Sequence, residues 1–410
     1  MVLATIAALA LLMSASGWIA LRRVRGSLPS AAVGASPRSG PPGVARSLTH
    51  TGDVTVETPK PEAIEPVEYC GLGTVRLPAD DLLAQFEYLA AQSADLEARW
   101  LSALGGSPDS RARAAYLYMV AATPADLVQG APPGSVEGVR GPAREALARL
   151  ATETSDPPVY AMAVQACGFY GGPATSGPSA CDAITAQGWA RIDADNAVPL
   201  LVTAGQAFAE RDRAAMDVAF SQAVQAHRVD SYSEALAQFS EHDIPADATP
   251  LQRYYLLTML QGYEATWGQL HHSAALHYCT PAALTDPDIR HRCDQLATLL
   301  ATSGARVSDV RTAATLARVL GWPAERITAL RDEGDAEASV LAQEKAPRFG
   351  CENVRAASAA IVEAIHQGTR FAARDAVERS GMSMSEAGAH FRTTLQARRD
   401  LAAKGVSGAR

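Results

Sequence analysis

Leu82-Leu83-Ala84-Gln85-Phe86-Glu87-Tyr88-Leu89-Ala90-Ala91-Gln92-Ser93-Ala94-Asp95-Leu96-Glu97-Ala98-Arg99-Trp100-Leu101-Ser102-Ala103-Leu104-Gly105-Gly106 is the stretch that decides the fold. Leu82, Leu83, Phe86, Leu89, Leu96, Trp100, Leu101 and Leu104 return at threes, fours or their sums. That is the period of a helix with one apolar face, not the alternation of a half-buried strand, and Gly105-Gly106 closes the run. The same spacing recurs in Val198 to Phe208, Ala215 to Val224, Leu256 to Tyr263, Leu296 to Leu300 and Val310 to Leu320.

Working outward, helix starts of one chemical kind punctuate the chain. Ser107-Pro108, Asp156-Pro157, Thr249-Pro250 and Asp286-Pro287 each place a side-chain acceptor before a proline. The acceptor satisfies an orphan N–H of the first turn, and proline at the first helical position gives up no hydrogen bond there. Period-two segments are nearly absent; Asp53-Val54-Thr55-Val56 is a weak candidate for a short edge strand. The expected fold is all-α, an array of antiparallel helical hairpins of roughly a dozen helices.

The chain has 410 residues, 48% hydrophobic and 20% charged, enough to bury a sizeable core and too apolar for a disordered protein. Its 36 basic residues stand against 44 acidic ones, a net −8. Residues 1–46 hold five arginines and no carboxylate, so 31 basic residues face 44 acidic ones in the remainder, a net −13. An acidic body lacks the positive footprint that phosphate binding needs, which sets nucleic acid aside as a partner.

Val2 to Leu21 is uncharged for 20 residues, about the length that spans a hydrocarbon core of about 30 Å. It reads as a single membrane anchor or as a secretory signal. Ser14-Ala15-Ser16 supplies small residues for cleavage, whereas the apolar run resumes at Trp18-Ile19-Ala20-Leu21. Arg22, Arg23 and Arg25 follow the run, a flank that would keep the body in the cytoplasm. Residues 22–66 are rich in Pro, Ser, Ala and Gly and read as a flexible linker. The expected organisation is therefore anchor or signal at 1–21, linker at 22–66, helical body at 67–345 and a helical extension at 346–410.

Cys70, Cys167, Cys181, Cys279, Cys293 and Cys351 make an even set. Cys167 to Cys181 and Cys279 to Cys293 both span 14 positions, each pair bracketing a helix end, a loop and the next helix. Two staples across helical hairpins follow, and Cys70 with Cys351 by elimination; six buried thiols are the alternative. Disulfides persist in oxidising compartments, so the expected location is the inner membrane with the body in the periplasm. A cleaved signal would leave it soluble there, and the arginine flank would reverse it.

Leu201, Ala204, Gly205, Phe208, Phe220 and Ala223 resemble the two-helix pattern of a tetratricopeptide repeat, and Trp189 to Asn196 resembles the turn that leads into one. Met216 stands near a position that takes a small residue in that pattern. With its anchor, linker and paired cysteines, the chain is similar to uncharacterised exported helical proteins of Gram-negative bacteria. The resemblance implies a stacked, solenoid-like architecture and a compartment, and no activity.

Three functional readings follow. The first is an envelope interaction module that binds a protein or peptide partner in a groove between helices, to which Tyr254, Tyr255, Tyr263 and Trp267 could contribute. The second is an envelope hydrolase without a motif; Glu241-His242-Asp243 is the one tight acid–histidine cluster. The third is metal binding by His277-Tyr278-Cys279 and His291-Arg292-Cys293, with His271 and His272 upstream. His277 and His291 are its candidate ligands, although a His and a Cys two apart on a helix point about 200° apart. Phosphate loops, the G-x-S-x-G elbow and H-E-x-x-H are absent, and Gly71-Leu72-Gly73 lacks a third glycine, so no cofactor and no catalytic residue is expected.

Overall fold

The computed structural model describes residues 67–75, 82–123, 135–169, 179–265, 267, 270–342 and 349–407. The anchor or signal expected at 1–21, the linker at 22–66 and the strand at Asp53-Val54-Thr55-Val56 lie outside the described residues. Among the described residues no helix is long and apolar enough to cross a membrane.

The chain enters through a small hairpin that helical periodicity does not announce. β1 (Val67–Tyr69) pairs antiparallel with β2 (Gly73–Val75), Val67 opposite Val75. Gly71 and Gly73, at φ +80° and +85°, supply the left-handed backbone of the turn, a conformation that costs glycine little. Gly71-Leu72-Gly73 is thus a turn and not a phosphate loop.

Helices make up most of the rest. α1 (Leu82–Gly106), α2 (Ser110–Ala122), α3 (Ser135–Thr154) and α4 (Pro157–Phe169) come first. α5 (Ala186–Ile192), α6 (Ala197–Glu210), α7 (Arg213–Ala223), α8 (Ala235–Ser240), α9 (Pro250–Ala265) and α10 (Leu270–Tyr278) follow. α11 (Pro287–Ser303), α12 (Val307–Leu320), α13 (Ala324–Ala342), α14 (Cys351–Gln367), α15 (Thr369–Arg379) and α16 (Met384–Ser407) complete the chain. Among the described residues the fold is all-α apart from that hairpin and two isolated β-bridges, Asn196 with Arg228 and Val229 with Gly304.

Three of the four acceptor–proline pairs open helices at the proline. Thr249 Oγ1 accepts from the N–H of Gln252, whose side chain accepts from the N–H of Thr249, a reciprocal cap. Asp286 accepts from the N–H groups of Asp288 and Ile289. Asp156 precedes α4 but spends Oδ2 on the Arg111 guanidinium at 2.7 Å. Ser107-Pro108 misses by two residues, because Asp109 caps α2 through the N–H of Arg111 and Ser107 Oγ accepts from the N–H of Asp109.

α1 packs as its period requires: Leu89, Leu96, Trp100 and Leu104 are buried, and Trp100 Nε1 donates to the carbonyl of Ser240 at 3.0 Å. Each such leucine contributes about 1.5–3 kcal/mol through burial. Alanines elsewhere in the core let helices approach closely, as on α2, where Ala112, Ala114, Ala115, Ala121 and Ala122 face inward. One core runs from Tyr69 to Ile365, and a smaller one joins Ala336, Ala364, Ala372, Ala373, Val377 and Ala387.

Sequential helices pack in pairs, among them α2 with α3, α6 with α7, α11 with α12 and α12 with α13. Contacts also join distant parts of the chain: α9 lies against both α1 and α14, and α6 against α10. The three helices after residue 346 pack on the body. Gln238 Nε2 donates to the carbonyl of Ile365 at 2.7 Å, Arg370 Nη1 donates to that of Gly304 at 2.7 Å, and α16 lies along α13.

Candidate functional site

All six cysteines are paired: Cys167–Cys181 and Cys279–Cys293 as their spacing implies, and Cys70–Cys351 as elimination leaves it. The third ties the hairpin to the start of α14, where Tyr69 stacks on Phe349 at 4.9 Å and the N–H of Cys70 donates to the carbonyl of Phe349 at 2.9 Å. Cys279 follows α10 directly and Cys293 lies within α11, so the second staple crosses from one helix to the next.

The predicted metal set does not assemble. The sulfurs of Cys279 and Cys293 are bonded to each other and are no longer thiolate ligands. His277 lies exposed and stacks on Phe208 at 4.5 Å, and His291 is exposed on α11. Glu241-His242-Asp243 forms a 3-10 turn after α8. Its buried Glu241 pairs with Arg253 and with His366 Nε2 at 3.8 Å, while His242 faces Asp243 at 3.5 Å on the surface. The contacts of Glu241 fasten this turn to α9 and α14. Of the four aromatic candidates, Tyr254 and Trp267 are buried and Tyr255 and Tyr263 half-buried.

The structure assembles a different cluster. His271 and His272 occupy the first turn of α10, and Asp309 the first turn of α12, which packs against α10. Asp309 stands three residues into the α12 cap, and its Oδ2 accepts from the N–H of Arg306 at 3.0 Å. That contact turns Oδ1 toward the histidines, whose Nε2 atoms lie 2.7 Å (His272) and 3.4 Å (His271) from it. The two rings sit 3.9 Å apart, and all three residues are buried, His271 at 1% exposure. One ligand-capable atom from each lies within 4.8 Å of the others.

Electrostatics follows from burial. Removal from water holds His271 down to about 4, so the ring is neutral, with the neighbouring His272 and Arg306 adding to the shift and Asp309 opposing it. Burial would raise Asp309, but the hydrogen bonds from both histidines overcome it and keep the carboxylate ionised far below its ordinary range. Arg306 Nε stands 3.6 Å from Glu234 Oε1, and Glu234 Oε2 accepts from Ser233 Oγ at 2.7 Å. Behind them Glu264 is raised well above the usual carboxylate range by burial and by Glu234. Among the described residues Glu264 Oε1 and Arg306 Nη1 make no hydrogen bond.

One geometric requirement lies beneath the cluster. Gly304, which ends α11, has an ordinary φ of −68°, yet a Cβ there would meet Asp309 Cβ at 2.4 Å and the Leu300 carbonyl oxygen at 2.6 Å. Asp309 occupies the space that any side chain at 304 would need.

A perturbed His and carboxylate group is what the hydrolase reading asks for, but this one is closed to a molecule of substrate size. A shallow, open depression of about 670 Å³ does exist elsewhere, among Glu325, Asp332, Glu333, Arg374, Met384 and Ser385. Two of its acids are engaged: Asp332 with Arg392 at 2.9 Å and Ser385 at 3.0 Å, Glu333 with Arg370 at 2.6 Å.

In the sequence His271 and His272 carry no local signal beyond their adjacency, whereas the nearby cysteines single out His277 and His291. The partner that gives the vicinal pair its chemistry, Asp309, is 37 positions beyond His272 and carries no local signal. Comparison with protein-family models, curated protein sequences and solved structures returns no match.

Proposed function

We propose that this chain is a membrane-tethered, periplasmic helical-repeat scaffold that binds an apolar segment of a protein or peptide partner in the cell envelope. Support for the compartment comes from the three disulfides, which persist where thiols are oxidised. The tether is the apolar run Val2 to Leu21. The repeat reading rests on the α6–α7 hairpin: Leu201, Ala204, Phe220 and Ala223 are buried, and Asn196 caps α6 through the N–H of Val198. Trp189 Nε1 and Asn196 Nδ2 both donate to Asp193, which fixes the lead-in turn.

The observation that carries the binding reading is the apolar surface of this hairpin and its neighbour. Phe208 on α6 is 44% exposed, Leu276 on α10 42%, and Phe208 stacks on His277 at the place where α6 meets α10. Aromatic and aliphatic side chains left in water on two packed helices are what an apolar partner segment covers.

A photoreactive benzoylphenylalanine at 208, at 276, and at the still more exposed control position Val139 on α3 tests this in cells. One discrete adduct shared by 208 and 276, absent at 139 and lost in F208D with the fold unchanged by circular dichroism, is expected. No adduct at 208, or the same adducts at 139, refutes the binding reading. An inactive alkaline phosphatase fusion near Leu48 refutes the compartment.

A further inference from the structure

We propose that His271, His272 and Asp309 form a three-ligand site for a borderline divalent transition-metal ion, zinc being the representative case, which clamps α10 to α12. The inference stands on the donor set and its geometry. Two imidazole nitrogens and one carboxylate oxygen are a ligand combination that zinc takes at about 2.0–2.2 Å, leaving a fourth position for water. Tetrahedral bonds of that length separate ligand atoms by about 3.3–3.5 Å. His271 Nε2 is already 3.4 Å from Asp309 Oδ1, and His272 Nε2, at 2.7 Å, needs to withdraw by well under an ångström.

The surroundings are those of a ligand set rather than of a surface ion pair. Asp309 is oriented by its other oxygen, which accepts from the N–H of Arg306, so Oδ1 is held facing the two histidines on a fixed carboxylate. Histidines adjacent in sequence ordinarily diverge by about 100° on a helix. Here both turn onto one oxygen in the opening turn of α10. His271 is sealed, while the His272 side chain keeps 10% of its surface in solvent, which marks the side from which an ion enters. The positive charge of Arg306 opposes a cation here, and Glu234 at 3.6 Å offsets it.

The chemistry balances without redox. In the metal-free arrangement each neutral imidazole that bonds to Oδ1 carries its proton on Nε2. On binding, the Nε2 proton leaves and Nδ1 of the same ring takes one up, a tautomeric shift that keeps the imidazole neutral, and the Nε2 lone pair goes to the metal. Asp309 Oδ1 exchanges two hydrogen bonds for one metal–oxygen bond.

The test uses the full-length, disulfide-intact chain, stripped with chelator and titrated with Zn²⁺ alone and with Co²⁺ alone. One equivalent of zinc, a raised melting temperature and a four-coordinate cobalt visible spectrum are expected. H272N and D309N should each weaken zinc binding by more than about tenfold, the loss ordinarily seen when even an outer partner of a ligand is removed. H277N/H291N, which removes the exposed histidines, should bind as the parent does. If D309N does not fold, H272N, at the open edge of the cluster, carries the comparison. Absence of a saturable equivalent in the parent, undiminished binding in H272N, or loss of binding in H277N/H291N overturns the proposal.

Discussion

Gly304→Ala is the most incisive perturbation of this fold, because the position has no conformational need for glycine and a severe steric one. At φ −68° and ψ 127° alanine is as comfortable as glycine, so backbone strain contributes nothing. The added Cβ would stand 2.4 Å from Asp309 Cβ and 2.6 Å from the Leu300 carbonyl oxygen, where carbon contacts settle at about 3.5–4.0 Å. Residue 304 cannot retreat freely, since its carbonyl accepts from Arg370 at 2.7 Å. Asp309 therefore has to move by about an ångström, which carries its bonds from His272 at 2.7 Å and from the Arg306 N–H at 3.0 Å past the range of about 2.7–3.2 Å in which they are strong. A hydrogen bond to a charged group contributes about 1.5–3 kcal/mol and residual overpacking costs about 1–3 kcal/mol, while displacement of Asp309 relieves part of the clash. The expected loss is about 3–5 kcal/mol, read from urea unfolding of the oxidised protein, with T302A on the exposed side of α11 as the near-neutral control. If G304A falls within about 1 kcal/mol of the parent, the stated packing of Asp309 is wrong.

Three further outcomes follow from buried charge and from the covalent frame. Burial, and then the charge of Glu333, raise the Glu337 carboxyl from 4.5 to about 8. Its stabilising contribution is then complete below about pH 4.5 and fades as the pH rises through about 8, so the parent should lose a few kcal/mol relative to E337Q over that window. Parallel pH–stability curves for the two proteins would refute this. Arg370 holds the end of α11 by donating to the carbonyls of Ala301 and Gly304 while pairing with Glu333. R370K keeps the charge but loses the planar fork, and should cost about 2 kcal/mol or more by thermal melting, an expectation that equal melting temperatures would rule out. C70S/C351S opens a loop of 281 positions, and loop entropy puts the loss at about 5.6 kcal/mol. Hydrogen exchange should show Val67–Val75 deprotected, and an unchanged hairpin would mean that Tyr69 and Phe349 suffice.

Legibility in the sequence tracked the range over which each signal acts. The face of α1 could be read because Leu89, Leu96, Trp100 and Leu104 are fixed by one helical period, and α9 and α11 because a cap and its proline are neighbours. Ser107-Pro108 misled because Asp109, two residues on, caps α2 through the N–H of Arg111, while Ser107 holds only the N–H of Asp109 outside the helix. The staples were readable because a spacing of 14 is repeated, a regularity that two unrelated pairs of thiols would not show. The site escaped because its parts come from two helices joined only by packing. A His–Cys pair two residues apart draws the eye by proximity, yet the residues that meet are His272 and Asp309. What brings them together is the bare Cα of Gly304 and the closeness of α10 to α12.

That arrangement makes the second staple and Gly304 two constraints on one joint. Cys279–Cys293 fixes the end of α10 to α11, and α11 hands over to α12 at Gly304, which leaves room for Asp309. If the register of α10 on α12 is set jointly by the covalent bridge and the steric gap, removing both should not cost the sum of the separate losses. Once the bridge is gone, α10 can follow Asp309 when G304A displaces it, and part of the hydrogen bonding survives. In a double-mutant cycle, G304A with C279S/C293S should show coupling above about 1 kcal/mol. G304A with C167S/C181S, whose bridge lies between α4 and the turn at Ala180–Ala183, should be additive within about 0.5 kcal/mol. Equal coupling in the two cycles would show that the staples stabilise the chain only through unfolded-state entropy, with no share in holding the histidines over Asp309.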